Sequence, residues 1–553
     1  MTDDRDTSWF SGPSHGGGKK KRPPIRIVPP DHAPDRRPAI FVRKGEIPQM
    51  IDAAESALAL AKGDLYTREG ELVHAANAPH GDEDGFPTGA PKLYTLTPPG
   101  LTERLARAAQ WMKDSAPADP PAPVVHGLIA RRFWPYLRPI SGIVQAPTLR
   151  PDGSLITDRG YDQTTRMLYV PAEIWPDLPL EPTREDAYQA LCAIHDAFVD
   201  FPWENDDGIY AAISATLTII ARPAIVGAVP VFIFDANTPG SGKTLVADTI
   251  ATIATGREAG RHSYPSDPKG ANEEVAKVLT GYAIGGAQVL CWDNLSCDSL
   301  FGGPALESVS TARDTASFRI LGKSENITIP WRTVMLATGN NVAITRDLER
   351  RSLVPRFVAR WETADSRPLD TFRHPERFGR LLAWTHAERV RLVGCALTLL
   401  RAYHLAGRPS QGLRWASFEE WTELVPSAIV WAGGRSPLAC RPADTGRVSP
   451  EREALTVILR DWHRLSPPAD GLTVRSVLAT LYPERRPGDP PAAPDALDEL
   501  RDALEVLAPP KGGRAPDAAR LGGAFSRLRQ VSIGGRALEA VAGRSGTARW
   551  VVR

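Results

Sequence analysis

Residues 231–244 read VFIFDANTPGSGKT, an apolar run that passes into a glycine-containing turn and ends in Lys243-Thr244. With the neighbouring residues it gives a strand (VPVFIFDA), a turn (NTPGSGKT) and a helix (LVADTIATIATG), the order that phosphate binding needs. In that order the N–H groups of the turn and of the helix N-terminus face one anion. Gly240 and Gly242 let the backbone approach closely, with Thr238, Pro239 and Ser241 completing the turn. Lys243 is expected to neutralise the outer phosphates, and the Thr244 hydroxyl to complete a magnesium shell. One position departs from the GxxxxGK[ST] pattern: Asn237 stands where the first glycine is usual. Asparagine is the commonest non-glycine residue to tolerate left-handed backbone, so the turn remains possible with it at 237.

Three further pieces follow in chain order. The apolar strand AQVLCWDNL ends in Asp293, placed to hold magnesium, and in Asn294, where many ATPases carry the glutamate that polarises water. An amide orients water but accepts no proton usefully, so Glu273 and Glu274 of ANEEVAKVL are candidate bases, alongside their plainer reading as exposed helical acids. The strand TVMLATGNN puts Asn340 and Asn341 at its tip, where a polar group can touch a terminal phosphate and the attacking water. Then TRDLERRSLVPRF presents Arg350 and Arg351 after a helix-like segment. Between the second and third pieces, ASFRILGKSENITIPWRTV reads as two strands joined by GKSE.

Composition sets the outer limits. The 553 residues are 42% hydrophobic, enough for several cores, and 66 Lys and Arg against 65 Asp and Glu leave no global charge signal. Five scattered cysteines without a CxxC pair argue against a disulfide framework or a zinc ribbon and fit a reducing cytoplasm. The N-terminus lacks a signal-peptide apolar region, and the apolar span 211–234 is broken by Arg222-Pro223, so it reads as a buried helix and a strand with no membrane role.

The expected organisation is a disordered basic tail (1–37), an α/β accessory domain (38–178), a nucleotide-binding domain (179–372), a helical region (373–447) and a C-terminal domain (448–553). The acidic cluster HGDEDG (80–85) has no flanking apolar strand to fix two carboxylates on a metal and reads as an exposed loop. Residues 511–553 hold nine Lys or Arg against Asp517 and Glu539, a charge of +7 that suits a phosphate-bearing partner. A helix at LTVRSVLATLYP, a second at DAARLGGAFSRLRQ carrying Arg520, Arg527 and Arg529, and two strands turning at GRSG with Arg544 fit a winged helix.

Lys243-Thr244, Asp293-Asn294, Asn340 and Asp347-x-x-Arg350-Arg351, in this order, resemble the AAA+ ATPases of the superfamily 3 helicase type. The likeness is to the primase-helicase proteins of phages, plasmids and integrative elements, including the poxvirus primase-helicase group, over about 180–553. The resemblance implies an α/β multidomain chain: a P-loop AAA+ core between an N-terminal α/β accessory domain and a C-terminal winged helix. It implies ATP and Mg2+ as cofactors and a homo-oligomeric ring, a hexamer, in which Arg350 or Arg351 reaches the neighbour's nucleotide. It further implies Lys323 at the hairpin tip facing single-stranded or forked DNA in the ring channel. No primase centre is evident, so priming would fall to a separate protein. Asn237 and Asn294 depart from the family pattern. They keep a second class open, a DNA-bound ATP switch or scaffold that does not unwind DNA, whereas a small-molecule kinase would need neither a trans arginine nor a basic end.

Overall fold

The computed structural model describes residues 37–265, 270–295, 300–319, 326–359, 361, 366–442, 450–465, 470–483, 497–510, 515–529, 533, 536–542 and 548–553. The expected disordered tail up to residue 36, Lys323 and Arg544 lie outside the described residues. The chain divides into two compact units, one made of the residues up to 74 with 95–139, the other of 75–94 with 140–553.

In the first unit the strand Ala39–Phe41 runs parallel to Gln110–Lys113, and Leu65–Arg68 forms a hairpin with residues 71–74. Its turn is Glu69-Gly70, both at positive φ (45° and 77°), the geometry that suits the twist of a two-residue hairpin. The helices Ile47–Leu60, Pro98–Ala108 and Ala122–Ala130 close a core that includes Leu101, Leu105, Trp111 and Leu128.

The second unit is built on a parallel sheet. Helix α1 (Arg184–His195), opened by a Thr183/Asp186 capping box, precedes α2 (Asp207–Ile220). The sheet strands are β1 (Val231–Ala236), β2 (Arg261–Ser263), β3 (Val289–Leu295), β4 (Val334–Asn340), β5 (Ser352–Leu353) and β6 (Arg356–Phe357). Helix α3 (Lys243–Thr255) follows β1, and α4 (Ala271–Gly285) precedes β3. The sheet order is β2-β3-β4-β1-β5, with β6 also pairing β1, and every pairing is parallel.

Parallel sheets are stable when helices cover both faces, and their central strands then lose the polar alternation of half-exposed strands. All six residues of β1 are buried, and so is α2 from Gly208 to Ile220 apart from the half-buried Tyr210. Two helices beyond the sheet, α5 (Leu381–Leu405) and α6 (Glu419–Trp431), complete one face, with α5 lying along α1 and α3.

The strands Thr315–Arg319 and Asn326–Pro330 pair antiparallel. The C-terminal part has a core of its own, with Leu455, Trp462, Leu504, Phe525 and Trp550 buried together. It is formed by helices Pro450–Asp461, Val474–Leu481, Asp498–Leu507 and Ala518–Leu528 and an antiparallel pair, Leu538–Ala542 with Ala548–Val552. Among the described residues no helix is long and apolar enough to cross a membrane.

The 80–85 segment is exposed at His80, Gly81 and Glu83, as its composition suggests, but is anchored at Asp82. The Asp82 side chain is 5% exposed and meets Lys92 Nζ at 2.8 Å, while the same ammonium reaches Asp84 at 2.7 Å. Phe86, the next apolar residue, packs on Tyr282 of α4 with ring centroids 5.0 Å apart, and the Tyr282 hydroxyl donates to the Gly85 carbonyl. A lysine and an aromatic anchor hold these carboxylates down, and they form no metal cluster.

Candidate functional site

The carboxyl ends of β1, β3 and β4 lie side by side, since Ala236 is in register with Asn340 and Trp292 with Ala337. Open parallel sheets place their ligand sites at this edge. The turn after β1 reaches α3 through two left-handed glycines, Gly240 (φ 71°) and Gly242 (φ 94°), the latter being the N-cap of α3. The first N–H groups of α3 therefore point back into the turn, where an anion would meet the positive end of the helix dipole.

Asn237 makes the turn without left-handed backbone; the asparagines at positive φ are Asn294 (φ 56°) and Asn341 (φ 48°). Instead its side chain copies a strand partner. Nδ2 donates to the Ala359 carbonyl (3.2 Å), Oδ1 accepts from the Ala359 N–H (3.1 Å), and the Asn237 N–H donates to Phe357 O (3.3 Å). Glycine could make only the last of these bonds.

Lys243 curls back under the turn and is 7% exposed. Its Nζ donates to Asn340 Oδ1 (2.8 Å), Ser241 Oγ (3.2 Å) and Thr238 O (3.3 Å), all of them neutral acceptors. Burial lowers its pKa below the usual lysine value, against the pull of Asp235 and Asp293. An ammonium solvated only by neutral oxygens is ready to take an anion.

The Thr244 hydroxyl donates to Asp293 Oδ1 at 3.0 Å, and the Thr338 hydroxyl donates to the same oxygen at 2.6 Å. Thr338 also accepts from the Asn294 N–H (3.0 Å). The β3–β4 register shifts between Trp292 and Leu295, and this irregularity turns Asp293 and Asn294 out of the ladder, leaving Asn294 exposed. A hydroxyl and a carboxylate side by side are hard oxygen donors of the kind that suits Mg2+.

Beside them Asp235 Oδ1 accepts from the Val342 N–H (3.0 Å), and its Oδ2 meets Arg356 Nη1 at 3.3 Å. Arg356 Nη2 continues to Asn341 Oδ1 (3.1 Å). Burial pushes the Asp235 pKa up, opposed by the Val342 N–H and Arg356. Thr338, Asp235 and Arg356 were not singled out in the sequence; a threonine two residues before the Asn340 tip was the one available signal.

The two arginines after the short Arg346–Glu349 helix differ. Arg350 is exposed and pairs with Asp347, whereas Arg351 donates to the Glu307 carbonyl (2.8 Å) and so braces the Pro304–Ser310 helix. Glu273 and Glu274 sit exposed in the first turn of α4. At the other end of the chain Arg520, Arg527 and Arg529 are exposed, the first two on one face of Ala518–Leu528. Arg549 and Arg553 pair with Asp470 and Glu539.

A cavity of about 320 Å3 opens beside the turn, bounded by Pro239–Gly242, by the end of α1 with Phe201, and by Trp361 and residues 367–381. Its volume is that of a small-molecule site.

No protein-family model matches this chain, and no curated protein matches its sequence. Among solved structures it is similar to the apo A form of the NrS-1 C-terminal region, at 10% identity and a TM-score of 0.35, over 90% of this chain and 98% of that one. A second structure of that region gives 9% identity and a TM-score of 0.38, over 91% and 99%. A ligand-bound JCV helicase gives 14% identity and a TM-score of 0.19, over 45% and 68%.

Proposed function

We propose that the chain is a P-loop ATPase of the AAA+ helicase type that assembles as a homo-oligomeric ring, a hexamer, and translocates on single-stranded or forked DNA during replication of a mobile element. The observation that carries this reading is the meeting of Lys243, Thr244, Asp293 and Asn340 around one glycine turn at the carboxyl edge of a parallel sheet. In it the turn from Thr238 to Gly242 cradles the phosphates, and Lys243 exchanges its neutral acceptors for them. Thr244 and Asp293 would hold Mg2+, which when bound neutralises phosphate charge. Asn340 and the exposed Asn294 orient water.

The adjoining cavity takes the nucleoside. Arg350, whose guanidinium is exposed, is the arginine offered to a neighbouring subunit, and Arg351 supports the segment that carries it. Lys323 and the basic C-terminal end, read as a winged helix with Arg520, Arg527, Arg529 and Arg544, supply the DNA contacts.

The test is ATP turnover with and without single-stranded DNA for wild type, Lys243→Ala and Arg350→Ala, with mass measured in the same samples and unwinding followed on a forked duplex. DNA-stimulated turnover lost in both variants, from an assembly that persists in Arg350→Ala, is the expected result. Asn294 favours one other reading, since an amide accepts no proton usefully and slow hydrolysis suits a DNA-bound switch or scaffold. Tight ATP binding with negligible turnover and no unwinding would select it.

A further inference from the structure

The end of β4 that carries Asn340 runs into a tight turn. Asn341 stands at φ 48°, and the chain folds back so closely that a Cβ on Gly339 would overlap the Val342 side chain. The Asn341 N–H donates to the Ala236 carbonyl (3.0 Å), which ties the turn to β1 through the main chain. Left-handed backbone is costly for any residue with a Cβ, and asparagine takes it up when its side chain gains a hydrogen bond there.

That bond comes from β6. In a pleated sheet, residues in register share a face and successive residues alternate. Asp235 is in register with Arg356 on one side and with Gly339 on the other. The Arg356 guanidinium crosses β1 beside Asp235, with Nη1 3.3 Å from Asp235 Oδ2, and its Nη2 donates to Asn341 Oδ1 at 3.1 Å. Asp235 is buried and completes the grip, since its Oδ1 accepts the Val342 N–H at 3.0 Å. Asn340 takes the opposite face, where its Oδ1 accepts from Lys243 Nζ at 2.8 Å.

We propose that Arg356 is a positioning residue for hydrolysis: by fastening Asn341 it keeps Asn340 aimed at the terminal phosphate and the attacking water. This role rests on the reading of Asn340 as a group that orients water. The ion pair with Asp235 asks only for a cation, whereas the added reach to Asn341 needs the planar fork of an arginine, which lysine lacks. A displacement of about 1 Å at a catalytic group can cost about 100-fold in rate. The loss of this bond therefore falls on the chemical step. Binding is spared, because Lys243, Thr244 and the glycine turn are set by β1 and α3.

Arg356→Lys keeps a cation beside Asp235 and loses the fork. With ATP and the full chain, kcat should fall by about tenfold or more, while the thermal midpoint and the directly measured ATP affinity hold. Asn341→Gly accepts the left-handed turn without strain but offers no acceptor, and it should lower kcat by a similar factor. In that background Arg356→Lys should add nothing, since the two residues act as one unit. Unchanged kcat in Arg356→Lys, or losses that multiply in the double variant, would overturn the proposal. So would a fall in kcat matched by losses of midpoint and affinity, which marks a residue that only supports the fold. Asn340→Ala separates this role from the reading beneath it. If Asn340→Ala abolishes turnover and Arg356→Lys does not, the reading of Asn340 stands and the role of Arg356 is removed. If Asn340→Ala leaves turnover intact, both fall.

Discussion

Asn237 occupies the place of a glycine yet does the work of a strand, since its amide pairs with both backbone groups of Ala359. Asn237→Gly, the change that restores the common pattern, should therefore weaken the protein. Two hydrogen bonds at about 0.5–1.5 kcal/mol each would be lost, and a flexible residue would enter the turn. A fall in thermal midpoint together with weaker nucleotide binding is expected, and tighter binding would contradict the assignment. Thr338 is the second residue whose role comes from contacts alone. Its hydroxyl ties Asp293 to the backbone of Asn294, so Thr338→Val keeps the shape and frees the carboxylate. Loss of a hydrogen bond to a charged group, about 1.5–3 kcal/mol, should lower kcat by about tenfold or more. Nucleotide affinity, measured directly, should hold; unchanged turnover would show that Asp293 is positioned without Thr338.

Helix α3 links the turn to the rest of the unit. It starts at Gly242 and stops at Gly256 (φ 77°), where Arg389 of α5 donates to the carbonyls of Thr252, Ile253 and Ala254 and pairs with Glu173. A cation on the last carbonyls meets the negative end of the helix dipole, at the end away from the glycine turn. Within α3, burial pushes Asp248 up to about 6, in spite of its pairing with Arg261. Between the ordinary carboxylate value of 3.8 and about 6, the folded chain keeps a proton that the unfolded chain has released. Stability from this group is thus full below the lower value and declines as pH rises through the upper one. Asp248→Asn should flatten the decline in thermal midpoint between about pH 4 and 6; an unaltered slope would assign it to other groups. The strand, turn and helix around Lys243 were legible in the sequence because each is local, and so was the placing of Asp293 and Asn340 at strand ends. The partner of Asn237 lies 122 residues away, and the cavity wall at 367–381 has no periodic pattern, so neither could be read before the chain was folded. The anchoring of Asp82 in the 80–85 loop was hidden for the same reason: Lys92 and Tyr282, which hold the loop, are not its neighbours in sequence.

At the level of the entire chain, a balanced net charge conceals an uneven surface. Arg520, Arg527 and Arg529 are exposed, as are Arg475 and Arg536, while Arg549 and Arg553 have acidic partners, so three of the exposed arginines of the C-terminal part lie on or directly after Ala518–Leu528. Replacing these three by alanine should weaken duplex DNA binding about equally for all sequences and reduce the slope of log affinity against log salt by about three. An unchanged slope would place DNA elsewhere. The pairing of Asn237 with Ala359 reaches further still, because the segment that follows runs to Trp361 in the cavity wall. In the proposed function the phosphate turn and the cavity wall would thus share one stitch, and a nucleotide cut into its two halves should reveal it. Saturating adenosine should tighten tripolyphosphate binding, and tripolyphosphate should tighten adenosine binding by the same factor. Asn237→Gly should make the two fragments bind as strangers; if they already do so in the wild type, the stitch transmits nothing.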